Sequence, residues 1–238
     1  MNVLRFDSEA SWVQTAAELF AARLRERPGS RLCLPAGNTP LPLYQRLAEE
    51  VRRGALTFAQ ATIFSLDEYG GLAPDDPGRC ASMLRRHLLD HIDLPAAHLH
   101  QLDTLASDVD EVCRRYDASI GAGLDLTLLG IGRNGHVGLN EPGSAADSAT
   151  RRVALHAQST EAAAAYVRGA ALPTWGATIG LRRLLESREI WLLARGPAKA
   201  HIVERLVRGP VDASVPASLL REHPRCWLFI DDASASRL

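Results

Sequence analysis

The sequence predicts an α/β fold: one domain over residues 1–238, built on an open, mostly parallel sheet with helices on both faces. Three observations predict it. Short apolar runs bounded by Gly, Pro or charged residues alternate with longer segments of helical period, the pattern of strands joined by crossover helices. A chain of 238 residues with 46% hydrophobic content can bury one sizeable core. No internal repeat, long linker or low-complexity run divides it.

In chain order, helical period predicts a helix over 9–25, followed by a short apolar strand over 32–35. A helix over 40–52 begins at Pro40, which the first turn accepts, and leads to a strand over 62–66. Two helices, 79–90 and 108–122, precede the apolar run 125–131, a strand. The Ala-rich stretch 161–165 is only a short helix former. The period then predicts a helix over 175–186, a strand over 189–194, helices over 198–207 and 216–220, and a last strand over 226–230.

Composition excludes several classes of partner. A formal net charge of -1 supplies no basic field to gather nucleic acid or an anionic membrane. No segment approaches the roughly 20 apolar residues that cross a bilayer, and the N-terminus carries no basic stretch followed by an apolar run. The expectation is a cytoplasmic protein. Cys33, Cys80, Cys113 and Cys226 are far apart, form no C-x-x-C pair and read as reduced core thiols. Every basic Lys or Arg is Arg except Lys199, which raises the question of whether one site needs a compact ammonium.

In an open parallel sheet, ligands bind outside the carboxyl ends of the strands, so the post-strand loops hold the candidates. LPAGNTP (34–40) runs from a strand into a helix and points backbone N–H groups and the Thr39 hydroxyl at an incoming anion. Read alone it is equally an ordinary helix cap, with Thr39 capping and Pro40 at the first helical position. A cation from another loop favours phosphate, and Lys199 in ARGPAKA (194–200) supplies one. LDEYGGL (66–72) places Asp67 and Glu68 at a strand end, where desolvation can turn a carboxylate into a base near neutrality; alone, it is equally a solvated turn.

GIGRNGHVGLNEPG (130–143) begins with the spacing of a dinucleotide loop, but Gly138, Asn140, Pro142 and Gly143 interrupt the helix such a loop requires. What remains is an irregular loop that presents Asn134, His136, Asn140 and Glu141. His136 suits proton transfer near neutral pH and Glu141 can orient it. No metal is expected: H-E-x-x-H and paired Cys/His spacings are absent, and His87 with His91 is a plain helical pair. Nor does a G-x-S-x-G elbow signal a serine nucleophile.

Together the four loops resemble the glucosamine-6-phosphate deaminase/isomerase family over nearly the whole chain. LPAGNTPLPLY resembles its phosphate loop, FSLDEYGGL its D-E-Y motif, LLGIGRNGHVGLNEPG its ring-opening loop, and the stretch from LRRLLESREIWLLARGPAKA to PRCWLFID its C-terminal strands. VDASVPASLL and GLNEPG are similar to the galactosamine-6-phosphate isomerase branch. The related 6-phosphogluconolactonases read D-E-R and D-G-H-T-A-S-L-F-P where this chain has Asp67-Glu68-Tyr69 and NGHVGLNEP, so Glu141 and the missing Arg favour the deaminase side.

The resemblance implies a Rossmann-like sheet of the sugar-phosphate isomerase type and an enzyme that isomerises and deaminates a 2-amino-2-deoxyhexose 6-phosphate, glucosamine or galactosamine, without metal or organic cofactor. His136, assisted by Glu141 and Asn134, would open the ring; Asp67 would take the C2 proton; Gly37, Asn38, Thr39, Lys199 and Glu68 would hold the substrate and its phosphate. Lactone hydrolysis and a non-catalytic sugar-phosphate sensor are the alternatives. Three departures stand out: Asn134 replaces an Asp found in many members, Asn38 replaces a Gly, and STEAAAAYVRGAALPTWG (159–176) lacks the N-A-R-F-F segment, with Arg168 out of register. The chain is expected to be a monomer or a homo-oligomer without the effector-regulated assembly of longer members.

Overall fold

The computed structural model describes residues 1–169 and 171–238. The main sheet takes its strands from seven short runs: β1 (Asn2–Phe6), β2 (Arg31–Leu34), β3 (Thr62–Ser65), β5 (Leu99–His100), β6 (Leu126–Gly130), β9 (Ile190–Ala194) and β10 (Cys226–Asp231). They lie in the order β1-β10-β9-β6-β2-β3-β5, and every pairing is parallel. Strand side chains alternate between faces, so each central strand feeds two cores. Trp191, Leu193 and Phe229 pack on one face with Trp12 and Phe20 of α1 (Glu9–Glu26) and Leu43 and Leu47 of α2 (Leu41–Arg52). Leu192, Leu228 and Ile230 pack on the other with Tyr116 of α4 (Val109–Ile120), Leu184 of α6 (Leu181–Leu185) and Ile202 of α7 (Ala200–Arg208).

A second, antiparallel sheet was not legible in the sequence. It runs β4-β8-β7, formed by β4 (Asp67–Tyr69), β8 (Trp175–Thr178) and β7 (Arg151–Ala154). The helix expected over 175–186 is therefore corrected: it is strand first, and only Leu181–Leu185 is helical. Tertiary pairing wins there, because β8 is clamped between two strands with Gly176, Ala177 and Thr178 buried. Smaller corrections follow from end geometry. The helix expected over 79–90 is α3 (Cys80–His87) followed by a 3₁₀ turn, Leu89–His91, and the one expected over 216–220 is a 3₁₀ segment, Pro216–Glu222. β1, an edge strand with three of its five residues exposed, lacked a run apolar enough to announce itself.

Two features position the site. From β2 the chain builds outward through β3 and β5, then returns to place β6 on the other side of β2, so the strand order reverses between β2 and β6. Such a switch point opens a crevice at the carboxyl ends. Secondly, the chain leaves the main sheet at Leu66 and joins the small one at Asp67, which puts the D-E-Y run on the crevice wall. Among the described residues no helix is long and apolar enough to cross a membrane.

Candidate active site

The loops after β2, β3, β6 and β9 converge on one cavity of about 340 Å³, lined by Gly37, Asn38, Thr39, Asp67, Asn134, His136 and Lys199 among others. Seven of the nine residues singled out from the sequence thus share a wall. Glu141 stands behind His136, and Glu68 lies elsewhere.

The loop expected to cradle an anion sits at the start of α2. Gly37 has a φ of 94°, in the region that favours glycine, and turns the backbone into the crevice. Pro40 rather than Thr39 is the cap residue of α2, and no side chain caps it. The Thr39 hydroxyl is thus not consumed by the helix, which removes the ordinary-cap reading. Across the cavity Lys199 Nζ donates to the Ile131 carbonyl at 2.7 Å. Burial, and secondly the charge of Arg133, hold its ammonium below the usual lysine range.

Asp67 and Glu68 separate by the elementary rule of a strand: neighbours point to opposite faces. Asp67 and Tyr69 line the cavity. Burial pushes the Asp67 carboxyl up to about 7 against a hydrogen bond from the Cys80 thiol, and the adjacent Glu68 adds to the rise. Glu68 points away. Its carboxylate accepts from the backbone N–H groups of Tyr69, Cys80 and Ala81 at 2.8, 2.9 and 3.0 Å, and Arg79 lies 3.5 Å from it. The expected substrate contact of Glu68 is therefore corrected: it satisfies the first turn of α3, a structural use for an N-terminal carboxylate.

The third group is the 130–143 loop. His136 Nδ1 lies 3.0 Å from Ser159 Oγ and 3.5 Å from Glu141 Oε2. Glu141 also accepts from Asn134 Nδ2 at 2.8 Å and from the His156 N–H at 3.1 Å. Burial opposes its ionisation, but hydrogen bonds with His136, Ser159 and Asn134 prevail and lower its pKa to about 2. A fixed carboxylate thus faces the imidazole at every working pH. Gly132 is the space for that imidazole: a Cβ there would fall 2.3 to 2.4 Å from three ring atoms of His136. The glycine spacing that suggested a nucleotide is, at this position, room for a side chain.

A family model described as glucosamine-6-phosphate isomerases/6-phosphogluconolactonase matches residues 7–228. The chain belongs to this family. It is 40% identical to a glucosamine-6-phosphate deaminase of Rhodopirellula baltica, over 98% of this chain and 93% of the relative. A second, from Streptomyces coelicolor, is 42% identical over 93% and 87% respectively. A solved monomeric glucosamine-6-phosphate deaminase superposes with a TM-score of 0.96 at 34% identity, covering 100% of both chains. The 6-phosphogluconolactonase of Thermotoga maritima, at 20% identity, TM-score 0.77 and coverage of 97% and 99%, shares the fold alone.

Within that family frame, the structure adds residues the sequence reading missed. Ser159 reaches the imidazole from α5 (Ala157–Ala163), a helix too short to be read. Tyr166, from the 159–176 segment that lacks the family's arginine, lines the cavity, and its hydroxyl is 3.8 Å from where a Gly37 Cβ would be. Ala170, in the same segment, lies outside the described residues. Asn140 is fully buried and ties the loop down, donating to Val137 O and Ile179 O while accepting from Arg151. Arg133 lines the cavity as well. Among the described residues no cluster of three His, Cys, Asp or Glu has metal-ligand geometry.

Proposed function

We propose that this chain is a glucosamine-6-phosphate deaminase that couples aldose-ketose isomerisation to loss of ammonia, acting as one domain over residues 1–238. The observation that carries the reading is a buried carboxyl, Asp67, held at about 7 in the same cavity as an anion cradle and a carboxylate-backed imidazole. The phosphate lies on Gly37, Asn38, Thr39 and Lys199. His136, oriented by Glu141 and Ser159, moves the proton of the anomeric hydroxyl and opens the ring. Asp67 then takes the C2 proton, giving an enolamine. Protonation at C1 leaves an imine at C2, which water hydrolyses to the ketone and ammonia. This is C–N hydrolysis, and its chemistry asks for a base over C2 and no metal or organic cofactor.

Glucosamine is favoured over the C4 epimer by the names of the relatives, although VDASVPASLL is similar to the galactosamine branch. The protein would work in the cytoplasm as a monomer, like the solved monomeric deaminase that it superposes on. Lactone hydrolysis has only a shared fold behind it, and a mute sensor has no use for a base near neutrality. The test is turnover side by side on glucosamine 6-phosphate, galactosamine 6-phosphate and 6-phosphogluconolactone. Ammonia from the first, lost in Asp67→Asn, is expected; ammonia from neither amino sugar defeats the reading.

A further inference from the structure

We infer that Arg133 is a second cationic ligand of the substrate phosphate, closing over the anion opposite Lys199. The inference rests on the sugar-phosphate reading above and deepens it. Arg133 and Lys199 both line the cavity, arriving from different loops, the one after β6 and the one after β9. Neither has a carboxylate partner among the described residues. The acidic side chain on the same wall, Asp67, has its pKa raised toward neutrality by burial, and Glu141 is engaged by Asn134 and His156.

Two positive groups that line one cavity with no carboxylate partner repel one another, and Lys199 is partly buried there. An anion between them removes the repulsion and converts both into charge-assisted donors. A phosphate monoester carries close to two negative charges at neutrality, more than one ammonium offsets. Lys199 has moreover given one of its three N–H donors to Ile131. Arg133 makes no hydrogen bond or ion pair among the described residues, so its five donors remain for the ligand. The bland alternative is a solvated loop arginine, since Arg133 is exposed. Its place on the cavity wall and its repulsion of the Lys199 ammonium argue otherwise.

The test is Arg133→Gln, with Arg133→Lys as the variant that keeps charge and loses the fork. Calorimetric titration with inorganic phosphate should show affinity at least tenfold weaker in Arg133→Gln and intermediate in Arg133→Lys. With glucosamine 6-phosphate, KM should rise by a similar factor while kcat stays within about threefold. Equal phosphate affinity in the wild type and Arg133→Gln overturns the inference, as does a fall in kcat at constant KM. If the wild type releases no ammonia, the functional reading fails, and the phosphate titration still decides the role of Arg133. Unchanged melting temperatures of the variants exclude misfolding as the cause.

Discussion

Two carboxylates of the candidate site, Asp67 and Glu141, are driven in opposite directions, and each has its own signature in pH. Asp67 is raised to about 7 by burial, so kcat/KM should climb with pH through about 7 as the base loses its proton, with a slope of one. The same shift is a cost to the fold. The folded state binds this proton more tightly than the unfolded chain, so stability is lost as pH rises from about 4 to about 7. Asp67→Asn should therefore inactivate the protein, by roughly 10²- to 10⁴-fold or more, and at the same time stabilise it at pH 8. The gain is on the order of 4 kcal/mol at most, from 1.36 kcal/mol per pKa unit, and the melting curves of the two proteins should meet near pH 4. Glu141 behaves in reverse. Its pKa falls from 4.5 to about 2, so its contribution is fully present above pH 4.5 and is lost as pH drops through about 2. Glu141→Gln should cost roughly 3 kcal/mol at pH 7, read by chemical denaturation.

At the scale of elements, the catalytic geometry depends on how closely loops approach one another. Gly132 leaves no room for a Cβ because the His136 ring fills that space, and the ring is held in turn by Ser159 and Glu141. Gly132→Ala should leave the main sheet intact while displacing the imidazole by about an ångström, with kcat falling on the order of 100-fold and the melting temperature changing little. Steady-state kinetics beside a thermal melt separates the two. The four loops were legible because chemistry restricts residue type: an anion cradle needs Gly and a hydroxyl, and a proton relay needs His and a carboxylate. The small sheet was not, since strands of three and four residues carry too little period to distinguish from a turn or a helix end. Missing it concealed which carboxylate faces the crevice. Once β4 is known to be a strand, Asp67 and Tyr69 on one face and Glu68 on the other follow at once. Ser159 and Tyr166 stayed hidden because their proximity to the site is tertiary, and nothing local in STEAAAAY marks it.

For the molecule as a whole, the reversal of strand order between β2 and β6 determines what a ligand does to stability. The proposed phosphate ligands come from both sides of that switch: Gly37, Asn38 and Thr39 follow β2, whereas Arg133 follows β6 and Lys199 follows β9. The two hydrophobic cores lie on opposite faces of the strands between. A bound sugar phosphate therefore fastens the halves of the sheet together at the crevice, and any unfolding that separates them must first release it. Binding to the folded state alone contributes about 2.7 kcal/mol when ligand is present at 100 times Kd. For a chain of 238 residues, at about 2–4 °C per kcal/mol, the melting temperature should rise by roughly 5–10 °C. Asp67→Asn is the protein to use, because it binds without consuming the ligand. Removing one cation should erase most of the shift: Lys199→Met at the same ligand concentration is expected to melt within about 2 °C of its ligand-free form, as a weakening of about a hundredfold requires. A shift retained in Lys199→Met would place the phosphate elsewhere in the cavity and separate the cradle at α2 from the function assigned to it.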